Sequence, residues 1–392
     1  MMADNFHFAK TPEIHFGAGK FSLTGRLTKK FGSNVLVVTG AESLKKSGKS
    51  DDLVKQFRNE DIKFSFVSIH NEPNPDFIDD VTKRNRTKGI KVVIAVGGGS
   101  VVDAGKAISA MLPVEDSIFN YLEDVGNKIH SGVKIPFIAI PTTSGTGSET
   151  TKNAVLSSTG ENGFKKSLRH DNFVPDIAIV DPELTLTLPP HITAACGMDA
   201  FTQLLESYVS TKASLITDSL AFEGLHRIRD ALLSACTTHQ RDVEVRSSMS
   251  YASMISGITL ANAGLGTVHG FASAIGGYFN IPHGVVCGTL MGTVSRKTIE
   301  LLTETDTQSI AFKKFARVGK MFIHSCNNDD IYYALKLADI IDEWTEILDI
   351  PKLGAFGIKE SHFKKIINAT GNKNNPVNFG KSELTAILKN RL

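Results

Sequence analysis

Four polar residues in the second half of the chain have the types and spacing of a metal site. Asp199 and Gln203 are four residues apart, so a helix would place both side chains on one face. His269 and His283 lie next to glycines, which leave room for a cation to approach. A carboxylate and two imidazoles are good ligands for a divalent metal, whereas a neutral amide is a weak one. We therefore expect Asp199, His269 and His283 to bind a divalent metal, with Gln203 as a weak fourth ligand.

These residues also have other interpretations. A single histidine on a helix is more often a core or surface residue than a ligand. Asp199 follows Gly197 closely and would also suit a helix N-terminus, where aspartate is a favoured cap. One carboxylate and two histidines also form the ligand set of non-haem iron oxygenases.

Length and composition describe an ordinary two-domain protein. The chain has 392 residues, more than one typical domain, and 43 basic against 41 acidic residues. This near-neutral balance argues against nucleic acid or an anionic membrane as a partner. The N-terminal segment lacks the apolar stretch of a signal peptide, so we expect a cytoplasmic protein. Dispersed cysteines without a CxxC pair indicate reduced thiols rather than a disulfide framework: Cys196, Cys236, Cys287 and Cys326.

Up to residue 188, short β-rich runs alternate with amphipathic stretches. The predicted strands are 35–39, 64–69, 92–96, 135–140 and 177–180, and the predicted helices are 50–60, 75–88 and 102–111. This alternation favours a parallel, doubly wound sheet.

Beyond residue 188 helical periodicity dominates the chain. Helices are predicted over 200–209, 217–234, 243–261, 310–324 and 331–348. Pro189 and Pro190 precede them and mark a plausible hinge. We expect an α/β domain over 1–188 and an all-helical domain over 189–392.

Two loops rich in glycine and hydroxyl groups follow strands of the predicted sheet. Gly97–Ser100 follows one strand and opens a helix, an arrangement that lets backbone N–H groups approach a diphosphate. Thr142–Ser148 follows another strand. Two such loops on one sheet predict a nucleotide in the crevice between them, which non-haem oxygenases lack.

The chain resembles the iron-containing (group III) alcohol dehydrogenases. The resemblance covers nearly the whole chain and depends on the order and spacing of several motifs, among them FGAGK, NPDF, GGGSVVDAGKAIS, IPTTSGTGSE, GMDAFTQ, GLGTVHG and PHG. It implies a dehydroquinate synthase-like fold, in which an α/β dinucleotide-binding domain with a parallel sheet precedes an all-α domain. The active site of such proteins lies in the cleft between the domains.

The resemblance also implies roles for individual residues. Asp199, His269 and His283 match three metal ligands, and Gln203 stands where the family usually has a histidine. These residues would act in catalysis through a divalent metal, with Fe²⁺ expected first and Zn²⁺ second. Ser273 replaces a further histidine of many relatives, which puts a proton relay there in doubt. The implied dinucleotide-binding residues are Asn74, Gly98, Gly99, Ser100, Thr142, Thr143, Thr146, Asn153 and Lys165.

Gly40 bears on the choice between NAD and NADP. Many NAD-preferring relatives have an aspartate at this position, which accepts hydrogen bonds from the ribose and repels a 2′-phosphate. Glycine removes both effects, so we expect NADP to be tolerated, with Lys45 or Lys46 near the phosphate.

The expected function is NAD(P)-dependent, metal-assisted alcohol dehydrogenase or aldehyde reductase activity on a small alcohol or carbonyl compound. Two alternatives stay open: a metal-independent enzyme like the maleylacetate reductases, and a catalytically impaired nucleotide-binding homologue. We expect a homo-oligomer, such as a dimer. If the ligand assignment is right, Gln203→His should tighten metal binding.

Overall fold

A computed structural model describes residues 5–160, 163–323 and 329–392 of the chain. Six of the strands within these ranges form one parallel sheet, and two form a separate antiparallel pair. The strands are β1 (Glu13–Phe16), β2 (Asn34–Gly40), β3 (Lys63–Ile69), β4 (Val92–Gly97), β5 (Phe137–Pro141), β6 (Asn153–Ser158), β7 (Phe164–Arg169) and β8 (Ile177–Val180).

The parallel sheet has the order β1-β8-β5-β4-β2-β3. Strands β4 and β5 are neighbours, and their last residues, Gly97 and Pro141, are paired in register. The loops that follow these strands therefore begin side by side at one edge of the sheet. This edge is where ligands bind in open α/β sheets.

The N-terminal half surrounds the sheet with helices, as its sequence pattern predicted. Two apolar clusters pack on opposite faces of the sheet, so its central strands are buried on both sides. The five predicted strands and three predicted helices are confirmed, with end points displaced by up to three residues. The helices are α1 (Thr24–Lys29), α2 (Ser43–Lys46), α3 (Lys49–Asn59), α4 (Pro75–Asn85) and α5 (Gly99–Met111).

Two parts of this half were not predicted. Strand β1 pairs in parallel with β8 at the edge of the sheet. Strands β6 and β7 form an antiparallel hairpin outside the main sheet, and its position facing the helical half places Lys165 against α9 at Gly276. The prediction of simple strand–helix alternation was therefore incomplete between residues 150 and 176.

The second half, which we call the helical half, is confirmed as helical. Its helices share one large apolar core. None of the described helices is both long and apolar enough to cross a lipid bilayer. The end of the helix predicted over 310–324 and Cys326 lie outside the described residues. The helices are α6 (Pro190–Val209), α7 (Leu215–Cys236), α8 (Val243–Ala263), α9 (Thr267–Tyr278), α10 (His283–Thr305), α11 (Ile310–Phe322), α12 (Asp330–Ile347), α13 (Phe363–Ala369) and α14 (Lys381–Asn390).

The two halves touch through backbone where the loop after β5 meets α8. A Cβ atom at Gly257 would lie 2.1 Å from the carbonyl oxygen of Gly147, and Gly147 itself has a φ of +60°. Next to this contact, the Thr150 hydroxyl lies within hydrogen-bonding distance of two carbonyl oxygens, that of Gly147 at 2.9 Å and that of Met254 at 3.1 Å. Only glycine permits this approach. The division at residues 188 and 189 stays a prediction, although α6 begins directly after it.

Candidate functional site

Helix α6 carries three polar side chains into the interior of the helical half. Asp199, Gln203 and Glu206 lie at i, i+4 and i+7, so they project from one helix face. They are only 2–5% exposed. Asp199 lies in the middle of α6, so the alternative that it caps a helix is wrong. Buried polar groups of this kind need hydrogen-bond partners or a cation.

Helix α9 brings His269 against α6, and Glu206 fixes its ring. The imidazole Nδ1 lies 2.7 Å from one oxygen of Glu206, and the other oxygen accepts a 2.7 Å hydrogen bond from the Val268 N–H. His269 Nδ1 therefore keeps its proton, and Nε2 faces Asp199 Oδ1 at 3.4 Å. A carboxylate behind a histidine is the usual support of a metal-binding imidazole. The Ser273 hydroxyl donates to the His269 carbonyl oxygen, back into its own helix.

Helix α10 begins at His283 and adds a thiol one turn later. The Nε2 atom of His283 lies 3.7 Å from Asp199 Oδ1. The Sγ atom of Cys287 lies 3.8 Å from this Nε2 and 3.7 Å from Nε2 of His269. A Cβ at Gly284 would lie 2.1 Å from the carbonyl oxygen of Ala195, so glycine lets the start of α10 approach α6.

These side chains form a group of four donor atoms, which we call the donor group: one ligand atom each from Asp199, His269, His283 and Cys287. The four atoms lie within 4.8 Å of one another. Asp199 Oδ1 and His283 Nδ1 are buried, and neither atom has a hydrogen-bond partner. An unpartnered buried carboxylate oxygen is costly unless a cation compensates it. The residues therefore fit a bound divalent metal.

The electrostatic environment sets the charge states of Asp199 and His283, two of the predicted ligands. Burial opposes a charge on Asp199, but His283, His269 and a hydrogen bond from Gln203 outweigh it and lower its pKa to about 2. Burial lowers the pKa of His283 to about 4. At neutral pH the carboxylate is thus charged and this imidazole is neutral, the states in which both bind metals.

His269 and Cys287 differ from these two residues. Burial disfavours a charged His269, yet Cys287, Glu206 and Asp199 together raise its pKa well above the usual range. Burial raises the pKa of the Cys287 thiol to about 12. The two shifts thus favour the protonated forms of the His269 imidazole and of the Cys287 thiol.

Gln203 lies beside the donor group. Its Oε1 atom is 2.9 Å from the Ser256 hydroxyl, which donates to it. Its side chain also hydrogen-bonds the Asp199 carboxylate. The four residues predicted as ligands are therefore together in space, and their role in binding a metal remains a prediction.

Sequence reasoning missed two members of this site. Glu206 lies seven residues after Asp199, and Cys287 lies four residues after His283. Both spacings repeat on one helix face, so they carried a usable signal. The cysteine was interpreted only as a reduced thiol, and the glutamate was not considered.

The two glycine and threonine loops meet at the predicted edge of the sheet. The Thr142 N–H donates a 2.9 Å hydrogen bond to the Gly97 carbonyl oxygen. A Cβ at Gly98 would lie 3.2 Å from the Thr143 side chain, and one at Gly99 would lie 2.7 Å from Thr146. The side chains of the second loop therefore pack beside the N-terminus of α5, which begins at Gly99 with Ser100 in its first turn.

The second loop also packs directly on α6. A Cβ at Gly145 would lie 2.9 Å from the Cβ of Cys196, which is one helical turn before Asp199. The loop therefore connects the N-terminus of α5 to the helix that carries the donor group.

Gly40 and Asn74 lie near the same edge of the sheet. Gly40 ends β2, which pairs with β4. Asn74 caps helix α4, because its Oδ1 accepts a 2.8 Å hydrogen bond from the Phe77 N–H. This cap gives Asn74 a structural role in addition to its predicted one.

The β6–β7 hairpin carries Lys165 to the region near His283, whereas Asn153 lies at the other end of the hairpin, beside Lys106 of α5. The Lys165 ammonium group lies 2.6 and 2.8 Å from the two oxygens of Glu72. Both charges act on the His283 imidazole: Lys165 lowers its pKa and Glu72 raises it. The Asn153 amide donates to Ser167 at 3.4 Å.

A buried lysine that was not predicted holds the second loop in place. The Lys106 ammonium group, on α5, donates to the Ser148 carbonyl oxygen at 2.9 Å, the Thr151 hydroxyl at 2.8 Å and the Asn153 carbonyl oxygen at 2.7 Å. Burial lowers its pKa to about 8. The motif that contains the first loop, GGGSVVDAGKAIS, includes this lysine.

The chain is similar to known proteins over nearly its whole length. Residues 11–182 match the family model described as iron-containing alcohol dehydrogenase, and residues 193–392 match its C-terminal family model. Alcohol dehydrogenase 4 of Saccharomyces cerevisiae is 30% identical over 389 residues, with 96% of each chain covered. The NADPH-dependent butanol dehydrogenase of Clostridium saccharobutylicum is 28% identical, with 97% of each chain covered.

A solved structure shows the same fold over the whole chain. The alcohol dehydrogenase from Oenococcus oeni superimposes with a TM-score of 0.88 at 27% identity, covering 99% of this chain and 100% of that one. Family models that together span most of the sequence, a full-length relative at 30% identity and this superposition all agree. The chain belongs to the iron-containing alcohol dehydrogenase family.

Proposed function

We propose that this protein is a metal-assisted, NAD(P)-dependent alcohol dehydrogenase that oxidises small alcohols and reduces the corresponding aldehydes. The supporting observation is the contact of the second loop with α6 at Cys196, one turn before Asp199. A dinucleotide on the two loops would lie beside the donor group. Hydride transfer needs this proximity of cofactor and substrate, because positioning supplies much of the rate.

The ligands that we propose for the metal come from three helices. Asp199 supplies the negative charge, and His269 and His283 supply imidazole nitrogens, with Gln203 as the predicted fourth residue. A bound divalent cation supplies Lewis acidity toward the alcohol or carbonyl oxygen. Fe²⁺ is the first expectation from the family and Zn²⁺ the second.

The chain itself contributes orientation and a low-dielectric setting. Glu206 holds the His269 ring with its Nε2 toward Asp199, through a 2.7 Å hydrogen bond at Nδ1. Burial keeps His283 uncharged at neutral pH, so its nitrogen stays available. The N-terminus of α5 offers backbone N–H groups to the cofactor diphosphate.

We further propose that NADP is accepted as well as NAD. Gly40 presents no carboxylate at the end of β2, so nothing at this position repels a 2′-phosphate. Lys46 lies 3.7 Å from Glu42, and both side chains are exposed. Lys45 is also exposed and is the other basic residue of α2.

Steady-state kinetics on anaerobically purified, metal-reconstituted protein test the proposal. We expect turnover of small alcohols with NAD or NADP, loss of turnover on chelation, and recovery when metal is restored. His269→Ala should abolish the metal-dependent rate, whereas His226→Ala, at an exposed position of α7, should retain it.

Two results would contradict the proposal in different ways. Turnover that survives chelation in metal-free protein would indicate a metal-independent reductase. Cofactor binding without turnover across a broad panel of alcohols and aldehydes would indicate a homologue that has lost catalysis. The homodimer and the cytoplasmic location stay predictions, and gel filtration tests the first.

A further inference from the structure

Cys287 lies within the donor group at the distances of a ligand. Its Sγ atom is 3.7 Å from His269 Nε2 and 3.8 Å from His283 Nε2. The residue is completely buried and lies one helical turn after His283. The sulfur is therefore only 0.3 and 0.1 Å farther from the two imidazole nitrogens than Asp199 Oδ1 is.

These separations are close to those of four ligands around one ion. Two nitrogen ligands of a tetrahedral zinc ion are about 3.3 Å apart, and a nitrogen and a sulfur ligand are about 3.5 Å apart. In the donor group, Asp199 Oδ1 lies 3.4 Å from Nε2 of His269 and 3.7 Å from Nε2 of His283. Four of the six separations in the donor group are thus within about 0.4 Å of those around a zinc ion, and all six are at most 4.8 Å.

A second observation indicates that a cation belongs among these atoms. Asp199 is 2% exposed, yet its Oδ1 atom has no hydrogen-bond partner. Two imidazole nitrogens lie near this oxygen without forming a hydrogen bond of good geometry. The carboxylate oxygen therefore faces the centre of the donor group with its charge uncompensated by a hydrogen bond.

Gln203 is engaged elsewhere. Its Oε1 accepts a hydrogen bond from Ser256, and its side chain hydrogen-bonds the Asp199 carboxylate. In this orientation the amide presents N–H groups, not a lone pair, to the donor group, and an N–H group cannot bind a cation.

We propose that the Cys287 thiolate, not the Gln203 amide, is the fourth protein ligand of the metal, which makes the site an Asp–His–His–Cys centre. This inference rests on the proposed function only in treating the donor group as a metal site. A sulfur–metal bond forms as the thiol proton is released to solvent. Because thiolate is a soft ligand, the exchange of a histidine for a cysteine favours zinc.

X-ray absorption at the zinc edge tests the bond directly and needs no turnover. Wild-type protein reconstituted with one equivalent of Zn²⁺ should show one sulfur at about 2.3 Å beside nitrogen and oxygen ligands at about 2.0–2.1 Å. Cys287→Ala should lose the sulfur. Cys236→Ala, which removes another buried thiol at the end of α7, should retain it. A wild-type spectrum without sulfur would overturn the proposal.

A competing assignment has the Gln203 amide turned over, with its oxygen toward the ion. The Ser256 hydroxyl has one proton and two acceptors within reach, Gln203 Oε1 at 2.9 Å and the Ser253 carbonyl oxygen at 2.7 Å. Ligand substitution separates the two assignments. By our proposal Cys287→Ala removes a ligand and weakens Zn²⁺ binding by more than about 100-fold. Gln203→Ala removes only a residue that supports Asp199 and weakens Zn²⁺ binding by about 10-fold. The reverse order would refute it.

A rescue variant guards against loss of folding. Gln203→His in the Cys287→Ala background should recover most of the Zn²⁺ affinity, because the imidazole would restore a fourth ligand from α6. Failure of the rescue, with both variants folded by circular dichroism, would count against a four-ligand site.

The spectrum and the kinetics can fail separately. A sulfur ligand in a protein that oxidises no alcohol would support this proposal and refute the proposed function. An alcohol dehydrogenase whose metal has no sulfur neighbour would do the opposite. A wild-type protein that binds no Zn²⁺ would overturn the ligand proposal.

Discussion

Replacing Glu206 by glutamine should weaken metal binding without leaving a cavity in the core, because the two side chains have nearly the same size. Both carboxylate oxygens accept hydrogen bonds at 2.7 Å, one from His269 Nδ1 and one from the Val268 N–H. Glutamine has a single oxygen, so only one of these two donors keeps an acceptor. The other donor then faces the NH₂ group.

The cost depends on which donor is left facing the NH₂ group. If the oxygen serves Val268, the NH₂ group donates to His269 Nδ1, the ring proton moves to Nε2, and that nitrogen no longer binds a metal. If the oxygen serves His269, a buried Val268 N–H is left unpaired, at a cost of about 1–3 kcal/mol. Metal binding requires the second arrangement, so the cost of the unpaired Val268 N–H is subtracted from the free energy of metal binding. Since about 1.4 kcal/mol is tenfold in Kd, we expect Zn²⁺ affinity to fall about 10–100-fold.

Competition with a chromophoric chelator measures this Kd. Glu149→Gln is the matched control, since Glu149 is also a fully buried carboxyl group but lies in the second loop, and burial raises its pKa to about 7. We expect the control to keep the wild-type Kd. An E206Q protein whose Kd stays within twofold of wild type would refute the reasoning about the His269 tautomer.

Three further substitutions test the roles of residues in the N-terminal half. Gly99→Ala should raise KM for the dinucleotide about tenfold, because the new Cβ would lie 2.7 Å from Thr146 and overpacking costs about 1–3 kcal/mol; an unchanged KM would show that the loop yields freely. Gly40→Asp should lower kcat/KM for NADP relative to NAD at least about tenfold, because like charges placed together cost several kcal/mol; an unchanged ratio would place the 2′-phosphate elsewhere. Lys106→Met should lower the free energy of unfolding by about 3 kcal/mol, measured with urea, because three buried acceptors lose their donor; a wild-type midpoint would contradict this.

The strands of the parallel sheet were predictable because each is a buried run with little competing signal. Val92–Gly97 is buried throughout, and its sequence is almost entirely apolar. The β6–β7 hairpin was not predictable in this way. Phe164–Arg169 contains two lysines, a serine and an arginine, and its side chains are mostly half-buried against the helical half rather than in a core. Its strand character depends on contacts between distant parts of the chain.

In the site, too, the spacing of residues within one helix was predictable, but the packing of different helices against one another was not. Helical spacing alone links Asp199 to Gln203 and His283 to Cys287. It does not show that α6, α9 and α10 converge, which depends on packing contacts such as that of Gly284 with α6. The resemblance to the family led us to expect that three of the predicted ligands lie together. It directed attention away from Cys287, because the family pattern has no thiol in that role.

The contact between Gly147 and Gly257 constrains how the cleft between the two halves opens. Two main chains touch there, and the Thr150 hydroxyl packs against Gly257 beside them. Sliding of one half past the other would break the neighbouring hydrogen bond of Thr150. Rotation of one half about this contact would keep it intact, whereas shear of one half along the other would not. Because the contact lies between the second loop and α8, a small rotation there would displace the parts of the two halves that are farthest from the second loop most.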